Sequence, residues 1–191
     1  AIETSAKMRK ANNLRVDKED KPAANQMATF EYSKDRFDDG VIILNRRLPL
    51  ICTRIGTAFC HSTVIHEAAH KNARVAQRLD PVKVVDGEVE AYRAQFHWLQ
   101  VLEDSGHKRL AEAHVPQRLI VLRETLINRL RIDPEDQVSQ LSLKYVKHLL
   151  DVYATNGEEL KLREFIRGAG YRDGEGGRDG GVEPGHSGFL S

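Results

Sequence analysis

The amino-acid sequence predicts an α+β fold: a small antiparallel or mixed sheet packed on one long helix, followed by a mostly helical C-terminal half. Three observations carry this expectation. Two short β-patterned runs lie close together early in the chain: Met27–Tyr32, with aromatic side chains at period two, and Val41–Asn45, which is β-branched and apolar. Next, His61–Leu79 places Val64, Ile65, Ala68, Ala69, Ala73, Val75 and Ala76 at helical spacing with no Gly or Pro between them. Beyond Gly87 the helical spacing returns repeatedly, interrupted by Pro, Gly and Asp.

Taken in order, residues 1–26 are polar and mixed in charge and read as an N-terminal arm, with a short helix around Ser5–Leu14. The two strands follow, separated by turn chemistry in Ser33–Gly40 (Asp35, Asp38, Asp39, Gly40), and are expected to pair antiparallel. Asp80-Pro81 ends the His61–Leu79 helix, and a second helix runs over Gly87–Glu103, stopping before Ser105-Gly106. Further helices are expected at Lys108–His114, Pro116–Arg131, Pro134–Ala154 and Glu158–Arg167. Pro116 and Pro134 fall in first turns, and Ser105 and Asp133 serve as caps. The tail from Gly168 to Ser191 holds nine glycines and reads as flexible linker. One domain is therefore expected over residues 27–167, between the arm and the tail of residues 168–191.

Composition excludes several function classes. The 191 residues carry 29 basic and 28 acidic side chains, a formal charge of +1, which argues against a dedicated nucleic-acid binder. No stretch reaches the roughly 18 apolar residues of a membrane span, and no signal-like segment opens the sequence, so a cytoplasmic location is the default expectation. Cys52 and Cys60 form neither a disulfide framework nor a CxxC pair, and they read as buried free thiols rather than metal ligands.

The chemistry concentrates in His66-Glu67-Ala68-Ala69-His70, an HExxH motif in a helical context. Positions i and i+4 share a helix face, so both imidazoles can aim at one ion. Neutral imidazoles suit Zn²⁺, and Glu67, about 100° round the helix, can reach a metal-bound water. The bland alternative is a helix carrying two surface histidines.

A catalytic zinc site takes three protein ligands and a water, so a third donor is expected among Glu88, Glu90, His97 and His107. At about 100° per residue, Ala91, Tyr92, Gln95, Trp98, Leu99 and Leu102 fall within about 80° of Glu88, on the face that must be buried. Glu90 falls with Arg93, His97 and Gln100 on a solvated face. A carboxylate inside an apolar stripe is costly unless paired or metal-bound, which favours Glu88. Glu90 stays open as the alternative, and Glu88 can also be read as a buried structural glutamate. Gln95, on the same stripe, can support a ligand by hydrogen bonding. The reach is sufficient: the first helix carries the chain about 14 Å past His70, and the connection to Gly87 spans up to about 26 Å.

With these residues in hand, His66–His70 followed by Glu88-Val89-Glu90-Ala91 resembles the zincin metallopeptidases of the gluzincin type, with thermolysin-like and ImmA/IrrE-like peptidases as relatives. The likeness runs from Phe30 to Ala94. In many such enzymes a small residue follows the ligand Glu at i+3, as Ala91 follows Glu88; the thermolysin pattern has Ala directly after the Glu, which points to Glu90. The resemblance implies a zincin-like fold, a Zn²⁺ cofactor, and a peptide or protein substrate. It also implies an edge strand before the active-site helix that aligns the substrate; Val41–Asn45 stands in that place, although an all-apolar run also reads as a buried strand. It further implies a donor for the developing oxyanion, with Tyr145, His148, Tyr153 and Tyr92 as candidates and none selected. His61 is a candidate cap or supporting group, and His186 of the tail a candidate plug for the open metal position.

The function expected is a zinc-dependent metallopeptidase in which His66, His70 and Glu88 hold the ion and Glu67 is general base. The alternative is a catalytically silent or structural-zinc binding module. Another hydrolase chemistry on the same site, such as an amidase, also fits.

Overall fold

The computed structural model describes residues 14–16, 27–31, 40–76, 83–104 and 114–173. Among them are three strands, β1 (Leu14–Val16), β2 (Ala28–Glu31) and β3 (Val41–Leu44). Six helices follow: α1 (Leu48–Ile55), α2 (Thr57–Val75), α3 (Val84–Asp104), α4 (Val115–Ile132), α5 (Gln137–Ala154) and α6 (Glu159–Gly168). The architecture is α+β, a small sheet followed by helices. No described helix is long and apolar enough to cross a membrane.

The sheet is mixed, in the order β1-β3-β2. β2 pairs antiparallel with β3, Thr29 opposite Ile43 and Phe30 opposite Ile42, as the two runs and their intervening turn residues lead one to expect. β1 pairs parallel with the other side of β3. Val41–Leu44 is therefore the interior strand, flanked on both sides, and the expectation that it forms a substrate-aligning edge is corrected. Its continuous apolar run has the interior reason: Ile42, Ile43 and Leu44 are all buried. The helix expected around Ser5–Leu14 lies outside the described residues except for Leu14, which belongs to β1.

α1 has no counterpart in the sequence reading. Pro49 sits in its first turn, and Leu48, Ile51 and Ile55 recur at i, i+3 and i+7 and are buried. Gly56 ends it at φ 94°, a conformation open to glycine, and α2 begins at the next residue. This abrupt joint brings Cys52 and Cys60 together, with Cα atoms 5.8 Å apart, and they form a disulfide between α1 and α2. Neither is a free thiol, so that reading is corrected: a separation of eight residues is bridged because the chain folds back at Gly56.

α2 starts four residues earlier than His61, so His61 lies inside the helix rather than capping it; its ring faces Trp98 at 6.4 Å. The residues 108–113 of the expected Lys108–His114 helix, and Ser105, lie outside the described residues. α4 carries Pro116 in its first turn as expected. α5 begins at Gln137, so Pro134 precedes it, and its cap is Asp136, whose carboxylate accepts from the Ser139 backbone N–H at 3.0 Å. Asp133 instead closes the preceding turn, accepting from Glu135 N–H.

The sheet packs on α2, α2 on α3, α1 on α2 and α5, α4 on α5, and α6 on α3. Ile51, Leu99, Leu119, Leu149, Leu162 and Ile166 are wholly buried between these layers. Each such side chain contributes about 1.5–3 kcal/mol by leaving water. The apolar layers hold α2 and α3 side by side, and His66, His70 and Glu88 lie between them.

Candidate metal centre

α2 and α3 run antiparallel. Trp98 Nε1–H donates to the Ala58 carbonyl, Gln95 Nε2–H donates to Ser62 Oγ, and Glu88 meets His66, so the partner number falls on α3 as it rises on α2. The second helix returns antiparallel as expected and places Glu88 opposite the HExxH motif.

His66 and His70, one turn apart, bring their Nε2 atoms to 3.3 Å. Glu88 Oε2 is 3.3 Å from His66 Nε2, and its Oε1 is 3.3 Å from His70 Nε2. One ligand atom from each residue lies within 4.8 Å of the others, and the group can hold a metal ion. Glu90 is exposed and outside the group. Of the stripe expected around Glu88, Ala91, Tyr92, Gln95, Leu99 and Leu102 are buried and Trp98 is half-buried, while Arg93, His97 and Gln100 are exposed. His66 is wholly buried, and the cluster reaches solvent at the side chains of His70 and Glu88, 13% and 9% exposed.

The electrostatics suit a cation. Burial pushes the His66 imidazole down, partly opposed by Glu88. Burial acts the same way on His70, but the neighbouring Glu88 carboxylate outweighs it and lifts that imidazole to about 9. Burial works to raise Glu88, yet His70 and then His66 hold it down to about 2. A carboxylate held ionised between two imidazoles is a donor set complementary to a positive ion.

Glu67 stands beside this group at 2% exposure. Burial raises its carboxyl to about 8, opposed by the His70 charge and by the Phe30 backbone N–H that donates to it from β2. Its Oε1 is buried and makes no hydrogen bond. A buried oxygen left unmet beside three converging ligands is what a bound ion with its water would satisfy.

The other expected residues are placed differently. Tyr145 is engaged by the first half of α2. Its hydroxyl donates to the Phe59 carbonyl at 2.8 Å, accepts from Thr63 Oγ1 at 2.6 Å, and lies 2.7 Å from Ser62 Oγ. His148 is buried among Tyr92, Phe165 and Tyr145, at ring distances of 5.7, 5.5 and 6.4 Å, and burial pushes its imidazole far down. Tyr92 packs edge-on against the His66 ring at 4.5 Å. Its hydroxyl is raised by burial and then by the charges of Glu88 and Glu67. Tyr153 packs on Phe96, away from the centre. His107 and His186 lie outside the described residues.

Three participants have no counterpart in the sequence reading. Ser62 and Thr63 bind the Tyr145 hydroxyl; Ser62 was findable, since it lies one turn before His66 on the same face. Lys71 is buried and donates from Nζ to the Gly40 carbonyl at 2.7 Å, tying α2 to the start of β3. No local signal marks it, because a lysine following a helical histidine ordinarily reads as solvated. Compared with known protein families, with curated proteins and with solved structures, the chain matches none, so the centre is read from its own residues.

Proposed function

We propose that the chain is a zinc-dependent metallopeptidase of the gluzincin kind, with His66, His70 and Glu88 as ligands and Glu67 as general base. The observation that carries this reading is the spacing of the donors. Tetrahedral zinc with bonds of about 2.0–2.1 Å keeps neighbouring ligand atoms about 3.3 Å apart. The two imidazole Nε2 atoms lie 3.3 Å apart, and each lies 3.3 Å from a different oxygen of the Glu88 carboxylate, which spans them.

Bound zinc supplies Lewis acidity and lowers the pKa of a water to about 7. The chain's own residues do the rest. Glu67 accepts a proton from the attacking water on its carboxylate and delivers it to the leaving amine nitrogen. The Phe30 N–H fixes the orientation of that carboxylate. β2, rather than β3, is the strand suited to align a peptide. Asn45 N–H donates to the Met27 carbonyl, which sets the alternation of the ladder and turns the Ala28 and Phe30 backbone groups outward, on the side where Glu67 lies.

Elemental analysis should give one zinc per chain. Glu67→Gln should retain that zinc while cleavage of a peptide library falls by about 100- to 10,000-fold. Cleavage at the wild-type rate by this variant ends the mechanism.

One observation favours a second reading: with His66 wholly buried and Glu67 2% exposed, the centre is nearly closed. On that reading zinc holds together a regulatory binding module. Chelation separates the two, because removing a structural ion unfolds the domain, whereas removing a catalytic one stops turnover and leaves the fold standing.

A further inference from the structure

The chain beyond α6 returns to the start of α3, and the proposed function does not use that contact. α6 packs along α3, and after Gly168 the chain turns at Gly170, whose φ of 96° is a conformation open to glycine. Tyr171 N–H donates to the Ile166 carbonyl at 3.3 Å, and its side chain packs against the core. Two residues on, Asp173 Oδ1 accepts from the Val85 backbone N–H at 2.9 Å, a bond between partners 88 residues apart in sequence.

The first turn of α3 needs such an acceptor. The Lys83 carbonyl accepts from Gly87 N–H at 3.2 Å, which makes Lys83 the cap residue and Val85 the second residue of the helix. A cap side chain ordinarily accepts from the N–H at that second position or the next, but a lysine side chain can only donate. Val85 is 1% exposed, so water is a poor replacement. Asp173 supplies from a distant part of the chain what Lys83 lacks, and its negative charge suits a helix N-terminus. Ion pairs lie beside it: Arg163 Nη2 meets Asp86 Oδ1 at 2.7 Å and Glu159 Oε1 at 3.0 Å, and Glu159 Oε2 meets Arg93 Nη2 at 2.9 Å. These pairs are open to solvent and each is worth little, which leaves the bond to Val85 as the one that fixes the turn.

We infer that Asp173 caps the N-terminus of α3 and is thereby a positioning residue for Glu88. Its bearing on zinc rests on the reading of Glu88 as a ligand. In an α-helix the Glu88 N–H bonds the carbonyl four residues back, that of Val84 in the first turn. Once that turn opens, Glu88 loses the bond and becomes part of the ragged helix end. Its carboxylate spans two imidazoles of α2, at 3.3 Å from each, an arrangement that a loose helix end does not keep. A binding-competent state populated only part of the time weakens the apparent affinity in proportion.

The test uses the full chain and two readouts: Zn²⁺ titrated against a chromophoric chelator, and residue-by-residue amide exchange in the metal-free protein. Asp173→Ala removes the acceptor. Exchange at Val85, Gly87 and Glu88 should quicken by about 3- to 30-fold, and zinc should bind more weakly by about the same factor, the range that a lost cap corresponds to. Asp173→Asn keeps an acceptor oxygen, caps about as well, and should stay close to wild type in both. A role confined to overall stability would lower the melting temperature of Asp173→Ala while exchange in the first turn kept step with the rest of α3 and zinc affinity stayed unchanged; that result overturns the inference. Should Asp173→Ala fail to fold, Gly170→Ala strains the turn at a place where the added Cβ meets nothing within 4 Å, and it should move both readouts in the same direction. Wild-type exchange in the first turn of either folded variant overturns the cap. Faster exchange with wild-type zinc affinity overturns the positioning role and leaves the cap. A wild-type chain that binds no zinc overturns the proposed function and the positioning role with it, while exchange still decides the cap.

Discussion

Substituting Glu88 and Glu90 separately by alanine decides which glutamate completes the centre. Glu88 presents both carboxylate oxygens, each 3.3 Å from an imidazole Nε2, whereas Glu90 is exposed and contributes no atom to the group. An ion that binds only the folded chain stabilises it by about 2.7 kcal/mol at one hundred times its dissociation constant. For a domain of this size each kcal/mol moves the melting temperature by about 2–4 °C. Wild type should therefore gain about 5–11 °C on going from chelator to that zinc concentration. The metal-free Glu88→Ala chain will itself melt at a different temperature, because the buried His66 and the part-buried His70 imidazoles lose the carboxylate that balances them. The readout is accordingly the zinc-induced increment, measured for each variant by scanning calorimetry with and without chelator. Glu88→Ala should show no increment and Glu90→Ala the full one. A full increment in Glu88→Ala would falsify the assignment, and its loss in Glu90→Ala would move the third ligand to the exposed face.

Three further outcomes follow from packing and capping. Tyr145→Phe deletes a buried hydroxyl that serves Phe59, Ser62 and Thr63. It should cost about 1–3 kcal/mol in denaturant unfolding, and a cost near zero would mean that these groups find other partners. Asp136 caps α5, and its carboxyl lies below the ordinary carboxylate value because of the Ser139 hydroxyl first and the Ser139 N–H second. A depressed folded value means that the cap is fully effective above about pH 4 and fades as pH falls below it. Asp136→Ala should cost about 1 kcal/mol at neutral pH, and its deficit against wild type should shrink in acid; a deficit independent of pH would remove the carboxylate from the explanation. Reducing Cys52–Cys60 opens a loop of eight residues, which corresponds to about 2–3 kcal/mol in the chain-entropy model. An unchanged melting temperature after confirmed thiol titration would show that α1 and α2 hold together without the bridge.

How much of the fold could be read in advance depended on whether its cause was local. α2 and α3 announce themselves over several turns of uninterrupted periodicity, and the β2–β3 pair by two apolar runs close in sequence. β1 does neither. It has three residues inside a polar arm, and it joins the far side of β3 in parallel, a pairing that no short-range signal specifies. Its presence changes the reading of Val41–Leu44 from edge to interior, so one missed strand moved the inferred peptide edge to β2. α1 is a different kind of omission: Leu48, Ile51 and Ile55 carry the pattern, but over two turns and with a proline at the start it is easily taken for a connection. The disulfide depends on that same missed helix, because Cys52 reaches Cys60 only when α1 stops at Gly56 and the chain doubles back.

The site divides along the same line. The choice of Glu88 over Glu90 needed only the phase of one helix, since the apolar residues of α3 define its buried face and a carboxylate there must have a partner. Gln95 follows from the identical count, two turns on. Tyr145 and His148 could not be sorted that way. Both lie on the buried face of α5, and which of them approaches the His66, His70 and Glu88 cluster depends on where α5 sits against α2 and α3. The structure sends the Tyr145 hydroxyl to the Phe59 carbonyl and encloses His148 among rings. Even so, His148 feels the charges of His66 and Glu88, and Tyr92, one turn beyond Glu88 on the same stripe of α3, feels those of Glu88 and Glu67. On the reading proposed above, the transition-state donor is to be sought between Tyr92 and His148, because the protonation of both side chains responds to the charges of the cluster.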